Sequence, residues 1–146
     1  VSTVHLIKLC VGAESIEELE SWQVQRLAAY KRAGQPTFLR HTTRSMPKRR
    51  AELIAGGSLY WVIKGWVACR QRIVDLDQVV GLDGVERCDI VLEPVNHRVD
   101  PRPHGPFQGW RYLNAMDAPS DLSSMSAGVA DMPEEMRKHL KALGVI

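Results

Sequence analysis

The 146-residue sequence predicts an α+β fold: a small twisted antiparallel sheet, open or closed into a barrel, with two or three packed helices. Three observations carry that expectation. Five or six short runs are β-branched or alternate apolar with polar residues. Helical periodicity bounded by start and stop residues is confined to a few stretches. Strands follow strands without a regular helix between them, which separates this pattern from a parallel α/β fold.

The elements follow in order. "VHLIKLCV" (4–11) reads as a first strand. Ser15 and Glu18 then stand in capping-box spacing, Ile16, Leu19, Leu27 and Tyr30 recur at helical period, and Gly34 with Pro36 stops the helix. Its acidic first turn and basic last turn (Lys31, Arg32) both suit the helix dipole. "TFLRHTTR" (37–44) alternates as a short strand. A second helix is expected from Pro47 to about Ala55, because proline is pre-organised for the first helical position and Gly56-Gly57 supplies the exit.

"SLYWVIKGWVACRQRIVDL" (58–76) is the strongest β signal. It is either one long bulged strand or a hairpin turning at Lys64-Gly65, with the hairpin preferred. In the second arm Val67, Cys69, Gln71 and Ile73 are expected to face the core, and Trp66, Ala68, Arg70 and Arg72 the opposite side. A turn at "GLDGVE" (81–86) precedes the strand "RCDIVLEPV" (87–95), whose Cys88, Ile90 and Leu92 point inward. The proline-rich "NHRVDPRPHGPFQG" (96–109) reads as extended loop. "GWRYL" (109–113) returns to strand with Trp110 and Tyr112 on one side. A poorly structured connection leads to a last helix, "PEEMRKHLKALG" (133–144). No internal repeat or linker divides the chain. One domain is expected over 1–146, with the sheet or barrel and two helices in 1–118 and the connection and final helix in 119–146.

The net charge of +2 conceals segregation. Residues 24–74 carry eleven Lys/Arg against the single acid Glu52, whereas 75–146 carry seven Lys/Arg and twelve acids. The three cysteines, Cys10, Cys69 and Cys88, are far apart, as suits reduced thiols in a cytoplasmic protein. No Cys-x-x-Cys or His-x-x-x-His spacing occurs, so neither metal nor cofactor is expected. No apolar run approaches the roughly 20 residues that span a bilayer, and the start shows no signal-peptide pattern, so no membrane partner is expected.

"GGSLYWVIKGWVACRQRI" together with "PFQGWRYL" resembles the bacterial domain of unknown function 1489 family, from "LIKLCVGAESIEEL" through "FQGWRYL". That resemblance implies a soluble bacterial protein and no particular activity. "LIAGGSLYWVIKGWVACRQRI" is also similar in layout to the PUA-like superfamily with its ASCH and EVE branches. This second resemblance implies a small β-barrel that binds RNA or modified bases, a few such domains being small amidohydrolases.

Function is read first from "RHTTRSMPKRR" (40–50), five Arg/Lys and no acid at the expected start of the second helix. Free backbone N–H groups, Thr42, Thr43 and these cations would make a seat for an anion. The leading reading is binding of RNA or a nucleotide-like anion. Arg44, Lys48, Arg49 and Arg50 would hold phosphates, Trp66 and Trp110 would stack on bases, and Lys64, Arg70 and Arg72 would line the same face. One alternative is an interaction module that docks an acidic partner or pairs head-to-tail as a homodimer. Another is a small hydrolase acting on an anionic nucleotide-like substrate, with His41, then His97 and His104, as the best candidates for acid–base work. No Walker A, Rossmann, Gly-x-Ser-x-Gly or His-Glu-x-x-His signature is present, so no catalytic residue is assigned.

Overall fold

The computed structural model describes residues 2–124 and 133–142. Along the chain lie β1 (Val4–Leu9), α1 (Ile16–Arg32), β2 (Leu39–Thr43), α2 (Arg50–Ile54), β3 (Ser58–Ile63), β4 (Trp66–Val80), β5 (Glu86–Leu92), β6 (His97–Pro103), β7 (Trp110–Asn114) and α3 (Glu134–Ala142). Short 3-10 turns lie at Ala115–Asp117 and Leu122–Ser124. Seven strands form a sheet in the order β2-β5-β4-β3-β1-β7, with β6 paired to β4 off that path. The pair β1·β3 is parallel and the others are antiparallel, so the sheet is mixed. It does not close on itself. Of the open sheet and the closed barrel that the sequence allowed, the open sheet is observed, ending in β2 and β7 and mixed rather than antiparallel throughout. No helix among the described residues is long and apolar enough to cross a membrane.

Local chemistry explains most boundaries. Ser15 caps α1, its hydroxyl accepting the Glu18 N–H at 3.1 Å, while the Glu18 carboxylate accepts the Glu14 N–H at 2.8 Å. The hairpin alternative holds between β3 and β4. Lys64 (φ 51°) and Gly65 (φ 79°) are both left-handed, the paired conformation of a two-residue turn matched to strand twist. The expected loop 96–109 is instead half strand. Its prolines are tolerated because the only full strand β6 pairs with among the described residues is β4, while its other side makes just a short bridge at Val99–Asp100 with Ser120–Asp121, so Pro101 and Pro103 lie beyond it. The second helix is also shorter than expected, beginning at Arg50 rather than Pro47. The final helix appears as α3, and residues 125–132 and 143–146 of the expected connection and helix lie outside the described residues.

One face of the sheet packs under α1 and α2. Val4, Leu6, Leu59, Trp61, Ile63, Ala68, Cys69, Ile73 and Ile90 meet Ile16, Leu19 and Leu53 there. The opposite, outer face carries a smaller cluster of Ile7, Tyr60, Val62, Val67, Val99 and Phe107. A bulge in β4 governs what each face receives. Val62 pairs with Val67 but Trp61 pairs with Cys69, which leaves Ala68 as an extra residue. Directly opposed residues share a face. Trp66 therefore goes with Ile63 to the inner face, while Arg70 and Arg72 go with Tyr60 and Ser58 to the outer one. The common aromatic and cationic face expected for Trp66, Arg70 and Arg72 is split by that single inserted residue.

A buried amide cluster fastens α1 to the sheet. The Gln71 side-chain oxygen accepts from both Gln23 Nε2 and the Trp61 indole at 2.8 Å, and Gln71 Nε2 donates to the Gln23 oxygen and the Glu93 carbonyl at 3.2 Å. Asn96 Nδ2 adds a 2.8 Å bond to the same Gln23 oxygen. Gln71→Leu removes the hub and strands several buried groups, each worth a kcal/mol or more. The variant is expected to lose about 3 kcal/mol of stability in urea unfolding. A midpoint close to wild type would show that this cluster does not hold α1.

Candidate functional site

Strand register places an aromatic and cationic row on the inner face. Lys8 on β1 is opposed by Trp61 on β3 and by Trp110 on β7, so all three project to one side. His41 on β2 pairs with Ile90, which faces the same interior, and meets the Trp61 ring edge-to-face at 5.0 Å. Two hollows adjoin on this face, and Lys8 lines both. The first, of about 170 Å3, is walled by Leu9, Cys10, Leu19, Leu39, Trp61 and His41, with Trp22, Arg26 and Arg40 also lining it. The second is an open groove of about 500 Å3 bounded by Thr42, Thr43, Arg44, Ser45, Gln108, Gly109 and Trp110. Among the described residues, no Asp or Glu lines either hollow.

The electrostatics follow from that composition. Burial holds the Lys8 ammonium below its ordinary range, and the same cause pushes the Cys10 thiol up to about 11, which leaves it unreactive at neutral pH. Burial, reinforced by the nearby charges of Lys8 and Arg26, pushes His41 down to about 4 against a weaker opposing pull from Asp89. The imidazole is therefore neutral at physiological pH. It makes no hydrogen bond among the described residues, and its Nε2 is shut off from water. Trp22 is a half-exposed lip beside this hollow. Its ring lies over Gly12, where a Cβ would come within 3.2 Å of Cη2 and where φ is +92°, so only glycine fits beneath it.

The residues expected from the sequence to bind an anion divide sharply. Arg44 and Trp110 lie together in the open groove, with the Trp110 indole donating to the Ser45 carbonyl at 2.8 Å. Arg49 is paired with Glu52 at 2.5 Å and rests over the Tyr112 ring at 5.3 Å. Arg50 is paired with Asp75 and Lys64 with Glu14, the latter at 3.6 Å. Arg70 forms a two-pronged pair with Asp121 at 2.8 and 2.6 Å on the outer face. Arg72 is exposed beside the Ile54 carbonyl, and Trp66 is half-buried with Lys138 Nζ 5.7 Å above its ring. Lys48 is exposed, but its backbone N–H is not free: the Tyr112 hydroxyl accepts from the N–H of Lys48 at 2.9 Å and of Arg49 at 3.2 Å. Two of the donors expected at the start of the second helix are thus engaged in joining this segment to β7.

Lys8, Trp22 and Arg26 were not singled out by the sequence. The signal for Lys8 was present, since it is the lone charged residue within an otherwise apolar first strand. Of the histidines considered for acid–base work, His41 lines the trough, whereas His97 lies on β6 and His104 packs on Phe107 at 4.8 Å. Among the described residues no three His, Cys, Asp or Glu side chains gather in a metal-holding group.

Fold and trough together define an open-sheet α+β protein with a cationic, indole-lined concavity in which Arg40 is paired with Asp77 and Asp89, whereas Lys8, Arg26 and Arg44 have no carboxylate partner among the described residues. The chain belongs to the family described as protein of unknown function (DUF1489), whose family model matches residues 6–146. No curated protein matches it, and no solved structure matches it. The PUA-like resemblance gains no support from these comparisons.

Because His41 is held neutral, acid should cost stability. The unfolded chain takes up this proton near pH 6.5 and the folded one only near 4, so His41-linked stability is intact above pH 6.5 and drains as pH falls toward 4. The full loss is about 3 kcal/mol. The expected result is a steeper fall in urea midpoint between neutral pH and pH about 4 for wild type than for His41→Phe. Parallel curves would contradict a neutral buried imidazole.

Proposed function

We propose that this protein binds nucleic acid, RNA foremost, or a nucleotide, and that it does so in the trough around Lys8 rather than at the start of α2. The observation that carries this reading is the absence of any Asp or Glu from the linings of both hollows, where Lys8, Arg26 and Arg44 meet the indoles of Trp22, Trp61 and Trp110. Cations without counter-charges attract phosphates, and the accessible rings of Trp22 and Trp110 accept unpaired bases, while the buried Trp61 forms the floor between them. Arg44 and Trp110 keep the roles expected of them. Arg49, Arg50, Lys64 and Arg70 become minor contributors because carboxylates already pair with them. Lys48 and Arg72 extend the basic surface outside the trough. An acidic protein partner would use the cations but gives no role to the indoles.

The test is fluorescence anisotropy with labelled single-stranded RNA at stepped salt concentrations, with circular dichroism checking each fold. Lys8→Gln combined with Arg44→Gln is expected to weaken binding at least tenfold. It should also reduce the slope of log K against log salt by about 1.4, the share of two phosphate contacts on a single strand. Arg49→Gln with Arg50→Gln is expected to change affinity by less than about threefold, as for exposed residues already engaged in surface pairs. Reversal of these two outcomes, or no RNA binding at low salt, overturns the reading.

A further inference from the structure

The smaller hollow is selective in size and chemistry. A dry cavity of roughly 150 Å3 accepts one benzene ring, and the hollow beside His41 measures about 170 Å3. One six-membered ring with its exocyclic atoms fills that space, and a fused two-ring system exceeds it. Its walls are apolar on most sides (Leu9, Leu19, Leu39, Leu92) and aromatic at Trp61 and Trp22, which suits a flat ring. Its polar groups are few. His41 lines it with no hydrogen bond to the described residues; its Nε2 is sealed off, which leaves Nδ1 as the ring atom a ligand can meet, as donor or acceptor according to the tautomer. Lys8 and Arg26 line the same hollow with no carboxylate between them. An anion attached to the ring finds its counter-charge there.

We propose that the hollow between α1, β1 and β2 is a single-base site for a pyrimidine nucleotide: the ring enters past Trp22, its hydrogen-bonding edge meets His41, and its phosphate is held by Lys8 and Arg26. This rests on the proposed nucleotide or RNA binding and adds the choice of base. The adjoining groove of Arg44 and Trp110 carries the neighbouring phosphate and base with no such limit on size, because it is open and about 500 Å3 in volume. Selection belongs to the first hollow alone. A purine strand of equal charge binds through the groove and the cations, without filling the cavity.

The experiment compares labelled octauridylate, octacytidylate and octaadenylate at low salt, with uridine and adenosine monophosphates as competitors. The pyrimidine strands are expected to bind about tenfold more tightly than octaadenylate, the scale of one base's stacking. His41→Phe should bring the three strands to within about twofold by removing the nitrogen that meets the base edge and narrowing the hollow. Trp22→Ala, at a half-exposed lip, should lower pyrimidine affinity more than octaadenylate affinity and so narrow the preference, with circular dichroism checking the fold. Competition by uridine monophosphate identifies the free nucleotide as sufficient. Competition by pyrimidine strands alone assigns the site to the strand. Equal affinity for all three strands in wild type, or a preference surviving in both variants, overturns the base site and leaves RNA binding standing. Failure of every strand to bind overturns both.

Discussion

A single bent strand decides what every other part of this molecule can do. β4 runs fifteen residues and supports β3 along one side and both β5 and β6 along the other. It is interrupted twice, with the extra residue Ala68 against β3 and a second register shift between Ile73 and Asp75 against β5. Each bulge bends the strand and exchanges the faces beyond it. Ile73 and Leu76, which a regular strand would put on opposite faces, both lie in the inner core as a result. The far half of β4 carries β5 and β2 with it. That curvature delivers His41 from a terminal strand onto the Trp61 ring in the middle of the sheet. Without it the two hollows around Lys8 would lack a wall.

The charge segregation of the sequence is sorted by this geometry. On the outer face and the sheet margins each basic residue near a carboxylate is paired with it: Arg40 with Asp77 and Asp89, Arg50 with Asp75, Arg70 with Asp121, Arg98 with Glu17 and Glu20. Exposed pairs of this kind contribute about 0–1 kcal/mol each, so they do not hold the fold together. Their consequence is to offset much of the positive charge outside the trough, together with that of Arg40 on its rim, while Lys48 and Arg72 stay without a carboxylate among the described residues. Within the trough the same accounting runs the other way. Lys8 loses hydration on the inner face and gains no carboxylate, an unfavourable arrangement for an ammonium that a bound anion would relieve.

What could be read from the sequence was local. The Ser15 cap, the Lys64-Gly65 turn and the Trp110/Tyr112 strand each depend on a few adjacent residues, and each stands where its residues put it. The features that escaped reading are those that another strand imposes. Pro101 and Pro103 argued against a strand, yet an edge position beside β4 tolerates both. A strict two-residue alternation joined Trp66 to Arg70, yet the bulge at Ala68 separates them, and nothing in "WVACR" marks that insertion. The site residues followed the same division. Arg44 and Trp110, picked out by charge and aromaticity, two properties visible in a string, do line one groove. Lys8 takes its importance from Trp61 and Trp110, which lie 53 and 102 positions away and meet it only across two strand pairings.

The segment expected to seat an anion has a structural task as well, for a stoichiometric reason. A backbone N–H has one hydrogen to give. Those of Lys48 and Arg49 give theirs to the hydroxyl of Tyr112, and the indole of Trp110 gives its own to the carbonyl of Ser45. These three bonds tie the connection leaving β2, one end of the open sheet, to β7, the other end. A phosphate at the same donors would have to displace them and loosen the tie that bounds the groove. With the Arg49 and Arg50 side chains already held by Glu52 and Asp75, the segment is better suited to shape the trough than to fill it. The cations that remain for an anion are then those on the walls it encloses, Lys8 on β1 and Arg44 just beyond β2.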